Sequence, residues 1–224
     1  MYTNFMNTEN NFKQAIILNV HYTGANMALV NIFCEKTGLK KGIVKIAKKR
    51  QAELQKGNII EYIHLKRQED NLGTFKFNLL EQTFVKYFDN LSAIKHLNHI
   101  TKNLTKYLKQ DIPQPNLYNA TKSLIERLDI DSSEFLIAMY DYKMLQELGY
   151  TLDAKNYLKA DDKDTSHAYY ISPKSGRVVS KNLGKGYERR LLILPEVLGG
   201  TESENQLELL HKINKMLFNK MHQS

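Results

Sequence analysis

The spacing of apolar residues changes once along the chain. Up to about residue 88 they fall in short β-favouring runs. Ala15, Ile17 and Asn19 alternate with Ile16, Leu18 and Val20, and Thr23-Gly24-Ala25-Asn26 supplies a turn. Met27 to Cys34 forms a second run, ended by Glu35-Lys36-Thr37-Gly38. Gly42 to Ala47, Asn58 to Leu65 and Thr74 to Leu80 complete the set, with Ile59, Glu61, Ile63 and Leu65 on one face of the fourth. Five short strands separated by turn residues predict a small closed barrel. The OB-fold is the five-stranded barrel most used for nucleic acids.

From about Asn90 the period is helical. Leu91, Ile94, Leu97, Leu104 and Leu108 form one stripe, which Ile112-Pro113-Gln114-Pro115 stops. Leu117, Thr121, Leu124, Ile125 and Leu128 form another. Asp131 and Glu134 have the spacing of a capping box before the stripe Phe135, Met139, Tyr142, Leu145 and Leu148, and Gly149 stands where a left-handed residue ends a helix. A last helix is predicted from about Ser203, with Leu207, Leu210, Ile213, Leu217 and Met221 on one side. The expected class is α+β: an OB-fold nucleic-acid-binding domain over 12–88, then a mostly α-helical domain over 89–224 with a loop-rich insertion at about 150–187. Met1 to Asn11 reads as a polar, frayed tail.

Charge sharpens this outline. The 224 residues carry 32 Lys and Arg against 24 Asp and Glu, a net +8 that favours a polyanionic partner. Thirteen of the basic and eight of the acidic residues lie in 1–89, so the shorter part has the higher positive density. The single cysteine, Cys34, excludes an intrachain disulfide and a cysteine-rich zinc site. The first ten residues lack the basic and apolar regions of a secretory signal. The charge-free stretch from Gln14 to Cys34 is broken by Asn19, His21, Thr23, Asn26 and Asn31 and does not suit a membrane span. A cytoplasmic, reducing location is expected, with no membrane partner.

The sharpest local feature is the basic run. Seven of the fifteen residues from Lys36 to Arg50 are positive and none is acidic: Lys36, Lys40, Lys41, Lys45, Lys48, Lys49 and Arg50, with Lys56 shortly after. With Gly38 and Gly42 bracketing its first part, the run is expected to form a hairpin-like projection, then a strand and a basic loop. Lysine excess suits sequence-independent phosphate attraction better than base reading. A solvated surface loop is the plain alternative. Tyr62, Phe75, Phe77, Phe84, Tyr87 and Phe88 are possible base-stacking rings, though Phe75 and Phe77 share a strand face and suit a barrel interior. His96 and His99 lack the further ligands a metal site needs and read as a surface or half-buried pair. Asp161, Asp162 and Asp164 would serve a Mg²⁺ nuclease only with further carboxylates, and read as a hydrated loop cluster. There is no phosphate-binding loop, dinucleotide fingerprint (Gly184-Lys185-Gly186 lacks its third glycine) or nucleophile elbow. The residues suggest no enzyme, cofactor or metal.

Three segments carry a resemblance. Tyr142 to Asp153 (YKMLQELGYTLD) resembles the helix-end motif of the RecO family of bacterial recombination mediators. Tyr170 to Ser180 (YISPKSGRVVS) resembles the same family's segment after its zinc-finger-like loop. Thr37-Gly38, then Gly42 to Arg50 (GIVKIAKKR), then Lys56-Gly57-Asn58 repeat its N-terminal order. The likeness runs from about residue 13 to Leu194-Pro195. It implies an OB barrel followed by a helical domain, binding of single- and double-stranded DNA, annealing of complementary strands, and loading of RecA with RecR onto strands coated by single-strand-binding protein (SSB), whose acidic tail would enter a basic-rimmed apolar pocket of the helical domain. It implies no catalysis. Many members hold zinc with four cysteines between these two C-terminal motifs. This chain has Tyr157 and Asp161 in that region and no cysteine, so the zinc site is lost. Gly24-Ala25-Asn26 is a further departure, since relatives commonly carry an acidic residue after the glycine. An RNA-binding OB module of translation or tRNA handling is the alternative that the barrel alone leaves open.

Overall fold

The computed structural model describes residues 12–66, 72–128, 130 and 133–223. The chain divides into two compact units, Met1–Ser132 and Ser133–Ser224. The first holds five strands: β1 Lys13–Gly24, β2 Met27–Cys34, β3 Gly38–Lys45, β4 Ile59–Leu65 and β5 Thr74–Glu81. They close into a barrel in the order β1-β2-β3-β5-β4, the expected OB architecture. Alternate residues fill it, among them Ala28, Val30, Ile32, Ile60, Tyr62, Phe75 and Phe77. β1 is buried without a break from Ala15 to Leu18. Ala15 and Ile17 belong to the barrel core, and β1 also packs against a helix, α2 Leu91–Tyr107. A strand covered on both faces reads as a continuous apolar run.

β3 starts four residues before the expected Gly42. Gly42 lies in mid-strand beneath the Phe75 ring, where an added Cβ would come within 2.7 Å of ring carbons. It is therefore a packing residue, and no hairpin-like projection forms between Gly38 and Gly42. Gly38 has φ +70°, and the carbonyl oxygen of Ile112 occupies the place its Cβ would need. The chain from Leu108 to Ile112 crosses β3 here: the Asp111 N–H donates to the Leu39 carbonyl at 3.1 Å. Gly38→Ala is expected to lower unfolding stability by about 3 kcal/mol, combining left-handed strain with displacement of this crossing. Urea denaturation checks it, with Gly24→Ala as a control because nothing lies within 4 Å of that Cβ position.

After β5 comes a short helix, α1 Thr83–Lys86. The Thr83 hydroxyl donates to the Gly57 carbonyl, and the buried Asn58 side chain accepts from the Phe84 N–H at 3.2 Å. α2 begins where the Asn90 side chain accepts from the Ala93 N–H at 3.0 Å. Its buried face is Ala93, His96, Leu97, Ile100, Thr101 and Leu104, whereas Leu91, expected on that face, is 74% exposed in the first turn. α2 ends at Tyr107, before the prolines, because Leu108 turns extended. Pro115 opens the next helix, α3 Pro115–Arg127, where its missing N–H costs no intrahelical bond.

In the second unit, α4 Glu134–Glu147 and α5 Gln206–Gln223 pack together, with the Asn214 side-chain amide donating to the Ala138 carbonyl at 2.7 Å. The α4 cap is Ser133, whose hydroxyl accepts from the Leu136 N–H at 3.3 Å. The expected cap, Asp131, lies outside the described residues. Gly149, at φ 92°, follows the helix as expected. The stretch read as loops contains strands: β6 Ala168–Ile171 and β7 Val178–Ser180 join β8 Leu192–Ile193 in a sheet ordered β7-β6-β8. Strands of four, three and two residues are too short to show a period.

Asp164 ties this region together. Its nearly buried carboxylate accepts from the Ala160 N–H at 3.0 Å, the Ser166 N–H at 2.9 Å and hydroxyl at 2.6 Å, the Asn182 amide at 3.0 Å, and the Ser180 hydroxyl. Bonds from Ser166, then Ser180 and Ala160, hold it well below the usual carboxylate range. Among the described residues no helix is long and apolar enough to cross a membrane.

Candidate nucleic-acid interface

The barrel fold separates the basic run along β3. Gly42 and Val44 face the interior, so Lys41 and Lys45 share the outward side. Lys36 lies in the β2–β3 turn and Lys40 and Lys41 follow it in β3. Lys45 is at the other end of that strand, roughly 17 Å from Lys40 at 3.3 Å per residue. Lys48, Lys49 and Arg50 begin a 3₁₀ turn that spans Lys48–Glu53, and Lys56 lies in the turn before β4.

Their charges are not equally available. Lys40 pairs with Asp111 on the crossing segment. Arg50 grips Glu53 with two bonds, Nε at 2.8 Å and Nη2 at 2.7 Å, and its guanidinium lies 5.4 Å from the centre of the Phe77 ring. The hydrogen bond to Glu53 raises its pKa further. Lys36, Lys41, Lys45, Lys48, Lys49 and Lys56 have no carboxylate partner among the described residues. The run is therefore two groups: Lys36 with Lys41 towards the start of β3, and Lys45 with Lys48 and Lys49 past its end.

The second group sits beside the β1–β2 hairpin. Gln51 donates to the Ala25 carbonyl at 2.8 Å, and the Tyr22 hydroxyl donates to the Gln51 carbonyl at 3.1 Å. Tyr22 and Met27 are about 40% exposed, at 41% and 40%. The 3₁₀ turn is thus pinned, and its lysines project from a fixed base. Nothing in the sequence singles out Tyr22, since a lone tyrosine near a turn carries no pattern.

The candidate rings divide as well. Tyr62, Phe75, Phe77 and Tyr87 are buried, and the Tyr62 hydroxyl bonds Thr37 at 3.0 Å, with burial pushing its pKa well above the tyrosine range. Phe84 is partly covered and Phe88 is 75% exposed after α1. His96 is buried against the Ser92 hydroxyl at 3.2 Å, while exposed His99 meets Asn103 at 3.1 Å. Asp161 accepts from the Lys163 N–H at 2.9 Å. With Asp164 fully engaged by donors, these carboxylates do not converge on an open site, and no metal-holding group occurs among the described residues.

The profile of the Recombination protein O N-terminal domain matches residues 8–84, and that of its C-terminal domain matches residues 88–216. The chain belongs to the RecO family. A DNA repair protein RecO from Ruegeria sp. (strain TM1040) is 32% identical over 200 residues, 88% of this chain and 82% of that one. The corresponding protein from Ehrlichia chaffeensis is 31% identical over 188 residues, 83% of this chain and 76% of that one. A third, from Bartonella tribocorum, is 31% identical over 190 residues.

Family zinc does not fit this RecO sequence. No cysteine occurs after Cys34. At the centre of the region, Asp164 uses both oxygens to accept N–H and O–H bonds, which orients it towards donors and away from a cation. Hydrogen bonds donated to one carboxylate supply the cross-linking there.

Proposed function

We propose that the protein is a cytoplasmic DNA repair and recombination mediator that binds single- and double-stranded DNA, anneals complementary strands, and with RecR helps load RecA onto SSB-coated strands. The observation that carries this reading is the in-order match of both halves of the chain to the two RecO domains. The mechanism is electrostatic. Lys36, Lys41, Lys45, Lys48, Lys49 and Lys56 neutralise phosphates, release counterions and lower the repulsion between two strands, while base pairing supplies the sequence. Lys40 and Arg50, both engaged in ion pairs, contribute less. The reading needs no bond-making chemistry and no cofactor.

A place for the SSB tail is supported by a cavity of about 370 Å³ in the second unit. Pro173, Leu192 and Met216 give it apolar walls, and Lys215 and Lys220 give it positive charge, with Lys212 tied to Glu208 at 2.6 Å, which suits an acidic peptide with an apolar end.

Annealing tests the whole reading. Complementary labelled oligonucleotides coated with SSB are expected to pair at least tenfold faster with stoichiometric protein, and single-stranded DNA to compete for binding at least as well as RNA of equal length. No acceleration, or a marked preference for RNA, would refute the assignment.

A further inference from the structure

The second unit carries a basic surface that lies outside the run on β3. The loop from Lys181 to Arg190, between β7 and β8, contains Lys181, Lys185, Arg189 and Arg190 against a single acid, Glu188. Every residue in it is exposed except Gly184. Tyr187 stands 59% exposed among the cations. A tyrosine ring with that much open surface, in a loop with three unpaired cations within three residues of it, is the composition of a base-stacking platform beside a phosphate track.

The loop is a built structure. The Asn182 N–H donates to the Ser166 hydroxyl at 3.2 Å, its side chain to Asp164 at 3.0 Å, and the Leu183 N–H to the Ser180 hydroxyl at 3.1 Å. Gly184 lies beneath the Tyr170 ring, where no Cβ fits. Two successive turns follow, with the Tyr187 N–H on the Gly184 carbonyl at 3.0 Å and the Arg190 N–H on the Tyr187 carbonyl at 2.8 Å. Glu188 accepts from the Gly186 N–H at 3.0 Å, so its charge is turned onto the loop backbone. Lys181 lies 4.9 Å from the centre of the Tyr169 ring. Lys185, Arg189 and Arg190 have no carboxylate partner among the described residues. The held backbone presents three unneutralised cations and one ring, so binding orders their side chains but not the loop that carries them.

We propose that this loop is a second single-stranded nucleic-acid contact, with Lys185, Arg189 and Arg190 on phosphates and Tyr187 stacked on a base. The proposal rests on the reading of the protein as a DNA-binding mediator. It gives each unit its own strand-binding surface, which annealing uses because two strands must be held at once. Nucleic acid is favoured over an anionic lipid surface because the exposed ring belongs to a basic loop with no apolar helix face to enter a bilayer.

Binding of full-length protein to labelled oligothymidylate, followed by anisotropy across a salt series, tests it. The Lys185→Ala, Arg189→Ala, Arg190→Ala triple variant is expected to lower the slope of log affinity against log salt by about 2, at roughly 0.7 per phosphate contact. Tyr187→Ala is expected to weaken binding roughly fivefold or more, Tyr187→Phe to restore it, and the loss to vanish on an abasic strand. A folded triple variant with the wild-type slope overturns the proposal, as does one whose only defect is on phosphatidylserine vesicles. Tyr187→Ala binding as wild type overturns the stacking role. If Lys48→Ala with Lys49→Ala lowers the slope while the loop variant does not, the loop fails and the barrel reading stands. Wild-type protein that does not bind oligothymidylate sinks both.

Discussion

Asp164→Asn is expected to lower the thermal midpoint of the second unit by on the order of 5 °C or more at neutral pH. The carboxylate accepts five bonds from four residues spread over Ala160 to Asn182. An amide keeps the shape but turns an NH₂ towards donors, leaving several of them unsatisfied in a nearly closed site. The pH dependence has a definite sign. The folded pKa lies below the ordinary 3.8, so the native state favours the ionised form. Its stabilisation is full above the ordinary carboxylate range and declines as pH falls below about 4 towards the depressed folded value. Wild type and Asp164→Asn should therefore differ most near pH 7 and converge on acidification. Thermal melts from pH 7 to pH 3 check this, and equal melts at pH 7 would remove Asp164 from its role. Hydrogen exchange should also quicken at Asn182 and Leu183, which the same hub fixes.

The paired change Lys48→Ala with Lys49→Ala is expected to weaken single-strand binding roughly 25-fold at 0.1 M salt and to lower the salt slope by about 1.4, the value for two phosphate contacts. Both lysines are exposed on the pinned 3₁₀ turn and lack carboxylate partners among the described residues. Folding should survive, since exposed changes usually cost within about 0.5 kcal/mol. Arg50→Ala separates charge from availability. Its guanidinium is tied to Glu53 and packed over Phe77, so the slope should barely move while stability drops by about 1 kcal/mol. Anisotropy titrations and urea melts on the three proteins distinguish these outcomes. A folded double variant with the wild-type slope would make the turn a solvated surface only.

The barrel is readable from order and patterning because its strands are seven to twelve residues long, alternating in parts of β2 to β5 and running unbroken as Ala15 to Leu18 in β1, which is covered on both faces. The long helices were readable for the same kind of reason: a buried face repeats often enough to be counted. Leu91 shows where counting fails, because an apolar residue one turn before the packed face still fits the period. Gly42 shows a different failure. A glycine in mid-strand and one in a turn look alike until Phe75 is seen above it.

The basic run is visible in charge and composition alone, before any folding. Which lysines keep their charge free depended on contacts remote in sequence. Asp111 reaches Lys40 across some seventy positions, and that crossing forms only when Gly38 lets Ile112 approach. The short sheet of the second unit, the Asp164 hub and the 181–190 loop were invisible for a related reason. Their strands are too short for a period, and the bonds that hold them join Ala160, Ser166, Ser180 and Asn182 through one carboxylate. Local patterning records what repeats along the chain, and a site closed by single long-range contacts exists only after the chain has folded.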